Sequence, residues 1–331
     1  MSVTTSRAFF RAALPAARAL IEQSKTIAVL SHYSPDPDAF GSQCGLGLAL
    51  ERAGKQIILV NQDGQVDGLQ FIPAASRVST VVTGTPDLLI VCDCGDIKRV
   101  GDSLEAVVQS APQVINIDHH ASNDLFGKVH LVDETASSSS ELVLELIEYC
   151  GLPMAPDIAS ALLSGLMADT GSFRYSSTTA STLEAGARLV RAGAVPNQVS
   201  QQLYARQSLT TIKLHAECLL NVKLFEQDSV SVLVVTKEMV ERLGATPDDS
   251  EGLVERGRDI QGVKVSALMR WVDDLWRVSL RSRDPRWDVS TVAQAFGGGG
   301  HKAAAAFRWR RSQAELESLL IPKLCELARG A

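Results

Sequence analysis

The sequence is short of the residues that mark several common protein classes. Six cysteines in 331 residues (44, 92, 94, 150, 218 and 325) are too few for a disulfide scaffold, and none forms a CxxC pair. Reduced thiols and a cytoplasmic compartment are therefore expected, with Cys92 a small buried hydrophobe at the end of an apolar run. No apolar run approaches the roughly 18 residues of a membrane span, so no membrane partner is expected. Glycine (24) and proline (12) stay near average usage, which excludes collagen-like and low-complexity chains. Basic residues are outnumbered, 32 Lys and Arg against 38 Asp and Glu, so the chain lacks the broad positive surface of a non-specific duplex binder. An apolar content of 45% over 331 residues instead fits a soluble, intracellular globular protein of two domains.

The charge that is present is unevenly divided. Residues 1–190 hold 12 basic and 21 acidic side chains, a local balance of −9. Residues 253–311 hold 12 basic and 6 acidic ones, a balance of +6, together with all four tryptophans (271, 276, 287 and 309). Two halves of opposite sign imply two different jobs. Near the start, Arg7, Arg11 and Arg18 precede the first acid, Glu22. An amphipathic first helix is expected there rather than a transit leader, because no long apolar core or cleavage signal follows.

Apolar runs of strand length alternate with helical patterns in the first half: 26–31 (TIAVLS), 56–60 (QIILV), 88–92 (LLIVC) and 114–117 (VINI). That alternation predicts an α/β domain with a mainly parallel sheet flanked by helices. Helices are predicted at 41–52, 102–110, 157–167 and 182–192, and one through Tyr149 opened by the capping box Ser138-x-x-Glu141. The break at Ala194, Val195, Pro196 and Asn197 puts a first boundary near 190–195. The expected organisation is a catalytic domain over 1–192, a helical linker over 193–218 and a smaller α/β domain over 219–331. Strands are predicted at 229–236, 263–271 and 275–282, a helix at 289–296, a strand at 303–309 and a C-terminal helix.

Strand ends carry the chemistry. The run 26–31 leads into His32, then Asp36 and Asp38 in a proline-stiffened loop; LLIVC leads into Asp93; VINI leads into Asp118, His119 and His120. A lone Asp in such a place is usually a helix cap or turn residue. Three strands each ending in such a group bring them to one edge of the sheet, where open α/β sheets bind ligands. Asp169, just past the 157–167 helix, adds a carboxylate. Carboxylates with imidazole and no thiolate suit manganese, magnesium or iron better than a thiolate zinc site. The number of ligands suggests two divalent ions, most simply Mn2+, the usual apparatus of in-line phosphoryl chemistry. His130 and His215 lack such context and read as surface or packing residues. The four glycines before His301 read either as a flexible turn or as an anion-binding nest; His301, Arg281 and Arg283 nearby favour the nest.

His32-x-x-x-Asp36-x-Asp38-Ala39-x-Gly41-Ser42, Asp93 after a strand, Asp118-His119-His120 and Asp169-Thr170-Gly171-x-Phe173, in that order, resemble the DHH phosphoesterases. Gly297-Gly298-Gly299-Gly300-His301 resembles the signature of the DHH-associated substrate domain. The resemblance spans about residues 27–310, and the layout is similar to the short nanoRNase and pAp phosphatase subgroup. It implies one manganese at His32, Asp36 and Asp93 and another at Asp38, Asp93, His119 and Asp169, with Asp93 shared. It places His120 beside the scissile phosphate as a catalytic residue along with Asp93, and Asp118 behind an imidazole. It assigns substrate contact to Arg281, Ser282, Gly298, Gly299, Gly300 and His301. The all-alanine stretch 303–306 departs from relatives, which place a glycine there; a methyl at a close approach would narrow a base pocket.

These readings predict a manganese-dependent hydrolase of short single-stranded oligoribonucleotides, with pAp 3′-phosphatase activity, acting through hydroxide held between two metals. The alternative within the enzyme class is a phosphodiesterase of cyclic or linear dinucleotides such as c-di-AMP or pGpG. A nucleotide-binding regulator that has lost catalysis is the alternative from another class, and occupied ligand positions disfavour it. A homodimer is implied by the resemblance alone.

Overall fold

An apolar stripe opens the chain. Phe10, Leu14, Ala17 and Ile21, three or four residues apart, are buried along helix α1 (Val3–Gln23), so the amphipathic first helix is present. The computed structural model describes residues 3–205 and 207–330. It divides into two compact units between residues 206 and 207.

In the first unit, α1 is followed by β1 (Thr26–Leu30), α2 (Pro37–Arg52), β2 (Gln56–Val60), β3 (Leu88–Cys92), α3 (Asp102–Ser110), β4 (Val114–Asp118) and β5 (Val129–Val132). Helices α4 (Ser139–Cys150), α5 (Pro156–Asp169), α6 (Ala180–Arg191) and α7 (Pro196–Tyr204) complete it. The five strands form one parallel sheet in the order β2-β1-β3-β4-β5. Both faces are covered, which is why the strands read as continuous apolar runs. Ile27, Val29, Ile90 and Ile115 belong to one core, while Ala28, Leu30, Leu89 and Val91 belong to the other. Each fully buried Leu or Ile contributes roughly 1.5–3 kcal/mol. The chain leaves β1 for β2 on one side and returns to β3 on the other, so the strand order reverses between β1 and β3.

Two helix boundaries differ from expectation, and both matter to the site. Helix α2 starts at Pro37 rather than residue 41, because the Asp36 carboxylate accepts the Asp38 and Ala39 amides as N-cap. Asp38 thus stands on the first helical turn, not in a loop. Helix α5 runs through Asp169, which is its last residue rather than one beyond it. The capping box at α4 is only half formed. Ser138 Oγ accepts the Glu141 amide, but the Glu141 carboxylate turns to Ser137 and Ser181 instead.

Glycines set how closely α2 and α5 approach. A Cβ on Gly41 would stand 2.5 Å from the Ala161 carbonyl, and one on Gly165 would meet Ser140 Oγ and Asp38 Oδ1. Gly165 lies one turn before Asp169, and Gly41 one turn after Asp38, so the same close crossing brings those two carboxylates together.

The second unit contains α8 (Leu209–Leu220), β6 (Lys223–Phe225), β7 (Val230–Val235), α9 (Lys237–Leu243), α10 (Leu253–Asp259), β8 (Val265–Val272) and β9 (Leu275–Ser282). It ends with α11 (Val289–Ala295), β10 (Gly299–His301), β11 (Ala304–Trp309) and α12 (Gln313–Arg329). Its six strands run β10-β11-β9-β8-β7-β6, antiparallel except for β7 with β8. One face packs Trp276, Val278, Leu280 and Phe307 against Val292, Leu316 and Leu320 of α11 and α12. On the other face, Leu214, Leu253 and Val254 of α8 and α10 join Leu233 of β7 and Leu268 of β8 in a smaller cluster. Residues 193–218, read as one helical linker, are divided between the two units as α7 and the greater part of α8.

Several short elements escaped the sequence reading, β6, α9 and α10 among them, and two more stand out. Strand β5 is one; the other is β10, where glycines read as a loop pair with β11 as an edge hairpin. The requirement for glycine there is steric. A Cβ on Gly298 would meet the Ala306 carbonyl and Phe307, and Gly300 adopts φ 141° with the Ala304 carbonyl 2.5 Å from its missing Cβ.

Candidate active site

The site lies where β1, β3 and β4 end. Asp93, the residue after β3, has φ 56°, a left-handed conformation that Asp tolerates better than most residues. Its amide is held by the Ile117 carbonyl at 2.8 Å, so the sharp turn is braced from β4. Strain of this sort gathers at functional positions.

Three groups of side chains converge here, each with ligand atoms within 4.8 Å of one another: His32, Asp36 and Asp93; Asp38, His119 and Asp169; and Asp93, His119 and His120. His32 Nε2 stands 3.4 Å from Asp93 Oδ2; His119 Nε2 stands 3.2 Å from Asp169 Oδ2 and 3.6 Å from Asp93 Oδ1. The longest of these is beyond a hydrogen bond. Donors sharing one ion at roughly 2.1 Å stand about 3.0–3.5 Å apart, so the spacing and the oxygen–imidazole chemistry fit hard divalent cations. His32 Nδ1 is 2.8 Å from the Tyr33 carbonyl, which places a hydrogen on Nδ1 and turns Nε2 toward Asp93.

Electrostatics report the crowding. Burial of the Asp36 carboxyl among protein atoms, despite the residue's exposed edge, lifts its pKa to about 6, helped by the Asp93 and Asp169 charges. Burial and the same two neighbours push Asp38 well above the usual carboxylate range. Asp93 is different: burial would raise it, but His32, His119 and His120 outweigh that and hold it low. Burial would lower His119, yet the Asp169 hydrogen bond and the surrounding carboxylates drive it well up. His32 follows the same logic with Asp93.

Several supporting groups were not legible in the sequence. The amides of Ser139 and Ser140, at the start of α4, donate to Asp38 Oδ2 and Oδ1 at 2.7 and 3.0 Å. A helix N-terminus is a natural seat for a carboxylate. Ser139 Oγ also donates to Asp93 Oδ1 at 3.0 Å. The Ser138 cap signal located that helix start, but nothing in the sequence aimed it at Asp38. Asp118, buried at the end of β4, accepts from Asn123 Nδ2 at 2.6 Å and stands 2.7 Å from His120 Nδ1. Burial would lower the His120 pKa; the Asp118 hydrogen bond and charge reverse this and raise it. Asp118 thus orients His120, whereas His119 meets Asp93 and Asp169.

The remaining predicted residues lie in the second unit. Arg281 Nε donates to Glu255 Oε1 at 2.8 Å and leaves the guanidinium partly exposed. Ser282 is buried, its Oγ 3.4 Å from the Lys302 carbonyl in the β10–β11 turn. His301 is exposed at the end of β10, and the register aligns His301 with Ala304 and Ala304 with Arg281. Gly298 and Gly300 are taken up by hairpin packing, while the Cβ position of Gly299 faces open space.

His130 lies in β5 with Nε2 3.1 Å from the Gly127 carbonyl, and His215 is buried in α8. All six cysteines are free thiols. No helix among the described residues is long and apolar enough to cross a membrane.

A parallel sheet carrying a carboxylate–imidazole centre at its switch point, followed by a mixed-sheet unit, defines a two-unit α/β protein of phosphoesterase type. The chain belongs to the DHH family: residues 26–166 match the DHH family, N-terminal domain, and residues 228–322 match the DHHA1 domain. Five of the metal-ligand candidates fall inside the first match, and Asp169 lies just beyond it. The chain is 30% identical over 303 residues to the bifunctional oligoribonuclease and PAP phosphatase NrnA of Bacillus subtilis, covering 89% of this chain and 94% of the relative. It is 32% identical over 291 residues to the protein of the same name from Thermus thermophilus, covering 84% and 82%. Among solved structures, an exopolyphosphatase-related protein from Bacteroides fragilis superposes with a TM-score of 0.89 at 25% identity over 96% of both chains.

Proposed function

We propose that this chain hydrolyses phosphate esters of short oligoribonucleotides and the 3′-phosphate of pAp, using two divalent cations, manganese foremost. The observation that carries the reading is the convergence of Asp36, Asp38, Asp93, Asp169, His32 and His119 at one sheet edge, with Asp93 and His119 each in two of the three groups. The named activities of the Bacillus subtilis and Thermus thermophilus relatives support the substrate class.

His32, Asp36 and Asp93 would hold one cation, and Asp38, Asp93, His119 and Asp169 the other. Bound there, such ions supply Lewis acidity toward phosphoryl oxygens and make water a competent nucleophile near neutral pH. The protein's own part is positioning. The Ser139 and Ser140 amides keep Asp38 in place, and the turn at Asp93 presents one carboxylate to both ion positions. Asp118, steadied by Asn123, fixes His120 through Nδ1, so the ring offers Nε2 to a phosphoryl oxygen of the substrate. Arg281 and His301 bind substrate phosphate, and Ser282 with the Gly298, Gly299 and Gly300 hairpin shapes that edge. Residues 1–192 then form the catalytic domain and 219–331 the substrate domain. The free thiols accord with a cytoplasmic setting, and the family resemblance extends the proposal to a homodimer, which light scattering tests.

Metal analysis followed by a substrate panel with Mn2+ tests the proposal: pApA, pGpG, c-di-AMP, pAp and a long single strand. Turnover of pApA and pAp with little on the long strand is expected. Fast turnover of the long strand alone would overturn it, and exclusive turnover of c-di-AMP would move the reading to a cyclic-dinucleotide phosphodiesterase.

A further inference from the structure

One guanidinium stands beside the carboxylate–imidazole cluster with no acceptor to bond. A single 3-10 turn, Ile97–Val100, follows Asp93 in the chain, and Arg99 of that turn is half-buried. Its Nη2 lies 3.3 Å from His32 Nδ1, across the ring from the Nε2 that faces Asp93. That contact is not a hydrogen bond. The Nδ1 hydrogen goes to the Tyr33 carbonyl, so this nitrogen has no lone pair left for a donor. The guanidinium carbon also stands over the Tyr33 ring, 6.0 Å from its centre. A cation–π contact of this kind meets the charge but not the hydrogen-bonding capacity of the group.

The backbone holds the arginine in place. The Tyr33 amide donates to the Arg99 carbonyl at 2.8 Å, which ties the turn to the loop carrying His32. Acids in this region are engaged elsewhere: Asp96 accepts the Lys98 amide, and Asp63 accepts the Ser34 amide. Arg99 itself makes no ion pair among the described residues.

Balancing the cluster through space is the plainer role for such a charge, and the charge count goes against it. Asp36, Asp38, Asp93 and Asp169 bring four negative charges, which the two divalent cations of the functional reading cancel. Arg99 then remains as a fixed positive charge, and its planar fork of N–H donors matches the oxygens of a phosphate. One imidazole ring, with a contact on either side, separates it from Asp93. That separation is comparable to the spacing of neighbouring phosphates along a nucleotide chain. It suits a phosphate next to the one cleaved rather than the cleaved phosphate itself.

We propose that Arg99 is a substrate-binding residue of the first unit, which holds a phosphate adjoining the scissile one. The proposal rests on the functional reading given above and deepens it. The contact is additional to Arg281 and His301, which belong to the other unit. Substrates with a phosphate beside the bond to be cleaved, as in pAp and short oligoribonucleotides, are thereby favoured over a lone diester.

The test uses the full chain with Mn2+ and two ligands. In pApApA the first internal linkage has a phosphate on each side, whereas the single phosphate of ApA has no neighbour. Affinity is read as KM, or as an inhibition constant for a ligand that is not turned over. R99Q should weaken pApApA by about tenfold, the loss of a charge-assisted contact, and leave ApA unchanged. Manganese affinity, followed by calorimetric titration, should also stay unchanged in R99Q. R99K, which keeps the charge but not the fork, should recover part of the affinity for pApApA. K98Q removes the exposed charge next in the chain and is the control, expected to match the wild type. Equal weakening of both ligands by R99Q would overturn the inference, as would the same weakening of pApApA in K98Q. Loss of manganese affinity in R99Q would overturn it too, since Arg99 would then act by supporting His32. If the wild type hydrolyses neither ligand nor pAp, the functional reading fails instead. Fluorescence anisotropy of labelled pApApA then decides Arg99: weaker binding by R99Q supports the contact, and unchanged binding overturns it.

Discussion

Gly165→Ala adds one methyl group at the point where α2, α4 and α5 meet. Its carbon would overlap Ser140 Oγ and Asp38 Oδ1 and lie 2.9 Å from Asp38 Cα. Ser140 Oγ has no hydrogen-bond partner to hold it, but the Asp38 carboxylate is fixed and its Cα is backbone, so α5 must retreat or Asp38 must leave the Ser139 and Ser140 amides. Overpacking of this kind costs about 1–3 kcal/mol, and each hydrogen bond to a charged group that is weakened adds up to about 1.5–3 kcal/mol. The gain in helix propensity, about 1 kcal/mol, offsets part of this. A net loss of about 3 kcal/mol follows, or roughly 6–12 °C in the melting temperature of a unit of some 200 residues. Gly45→Ala on the same seam is the comparison, because its Cβ would crowd only the buried Leu162, with Cδ2 at 2.7 Å and Cγ at 2.9 Å, and no atom of Asp38 or Ser140. Scanning calorimetry and manganese titration should show the Gly165 variant losing both stability and affinity at the Asp38, His119 and Asp169 group, with the Gly45 variant losing stability but keeping wild-type manganese affinity. Equal manganese binding in the two variants would refute the reasoning.

Asp118→Asn should lower kcat about 10- to 100-fold with metal content unchanged, because it loosens His120 rather than a ligand; steady-state kinetics beside metal analysis checks this. His301→Ala should mainly raise KM, again with metal content intact. His215 gives a pH dependence remote from the site. Burial depresses its pKa, Nε2 is 2.9 Å from the Asp249 carbonyl, and Nδ1 has no partner. The unfolded state therefore takes up a proton, near pH 6.5, that the folded state resists. Stability is complete above that pH and falls as pH drops through it, by at most about 1.4 kcal/mol per pH unit from this residue. Urea denaturation at pH 7.5 and 5.5 should show a smaller acid loss in His215→Gln than in wild type.

The strands β1, β3 and β4 were legible because burial on both faces leaves uninterrupted apolar runs, and the groups ending them follow from strand direction alone. Boundaries were less so. The start of α2 depends on Asp36 serving as N-cap with Pro37 at the first helical position, a start signal that lies ahead of the apolar helical pattern beginning at residue 41. Asp169 belongs to α5 because the helix persists through a polar end. Strand β10 was invisible, since glycine weakens a strand signal and its pairing with β11 comes from tertiary contact. The support for Asp38 from α4, across about a hundred residues of chain, has no local signature.

Asp93 is the carboxylate that the proposed two-ion site shares between both positions. Manganese stoichiometry and pApA turnover measured together on Asp93→Asn test it directly. Loss of bound manganese together with loss of turnover by several orders of magnitude is expected, in a protein that still melts cooperatively. Full activity, or two ions retained with wild-type affinity, would contradict it.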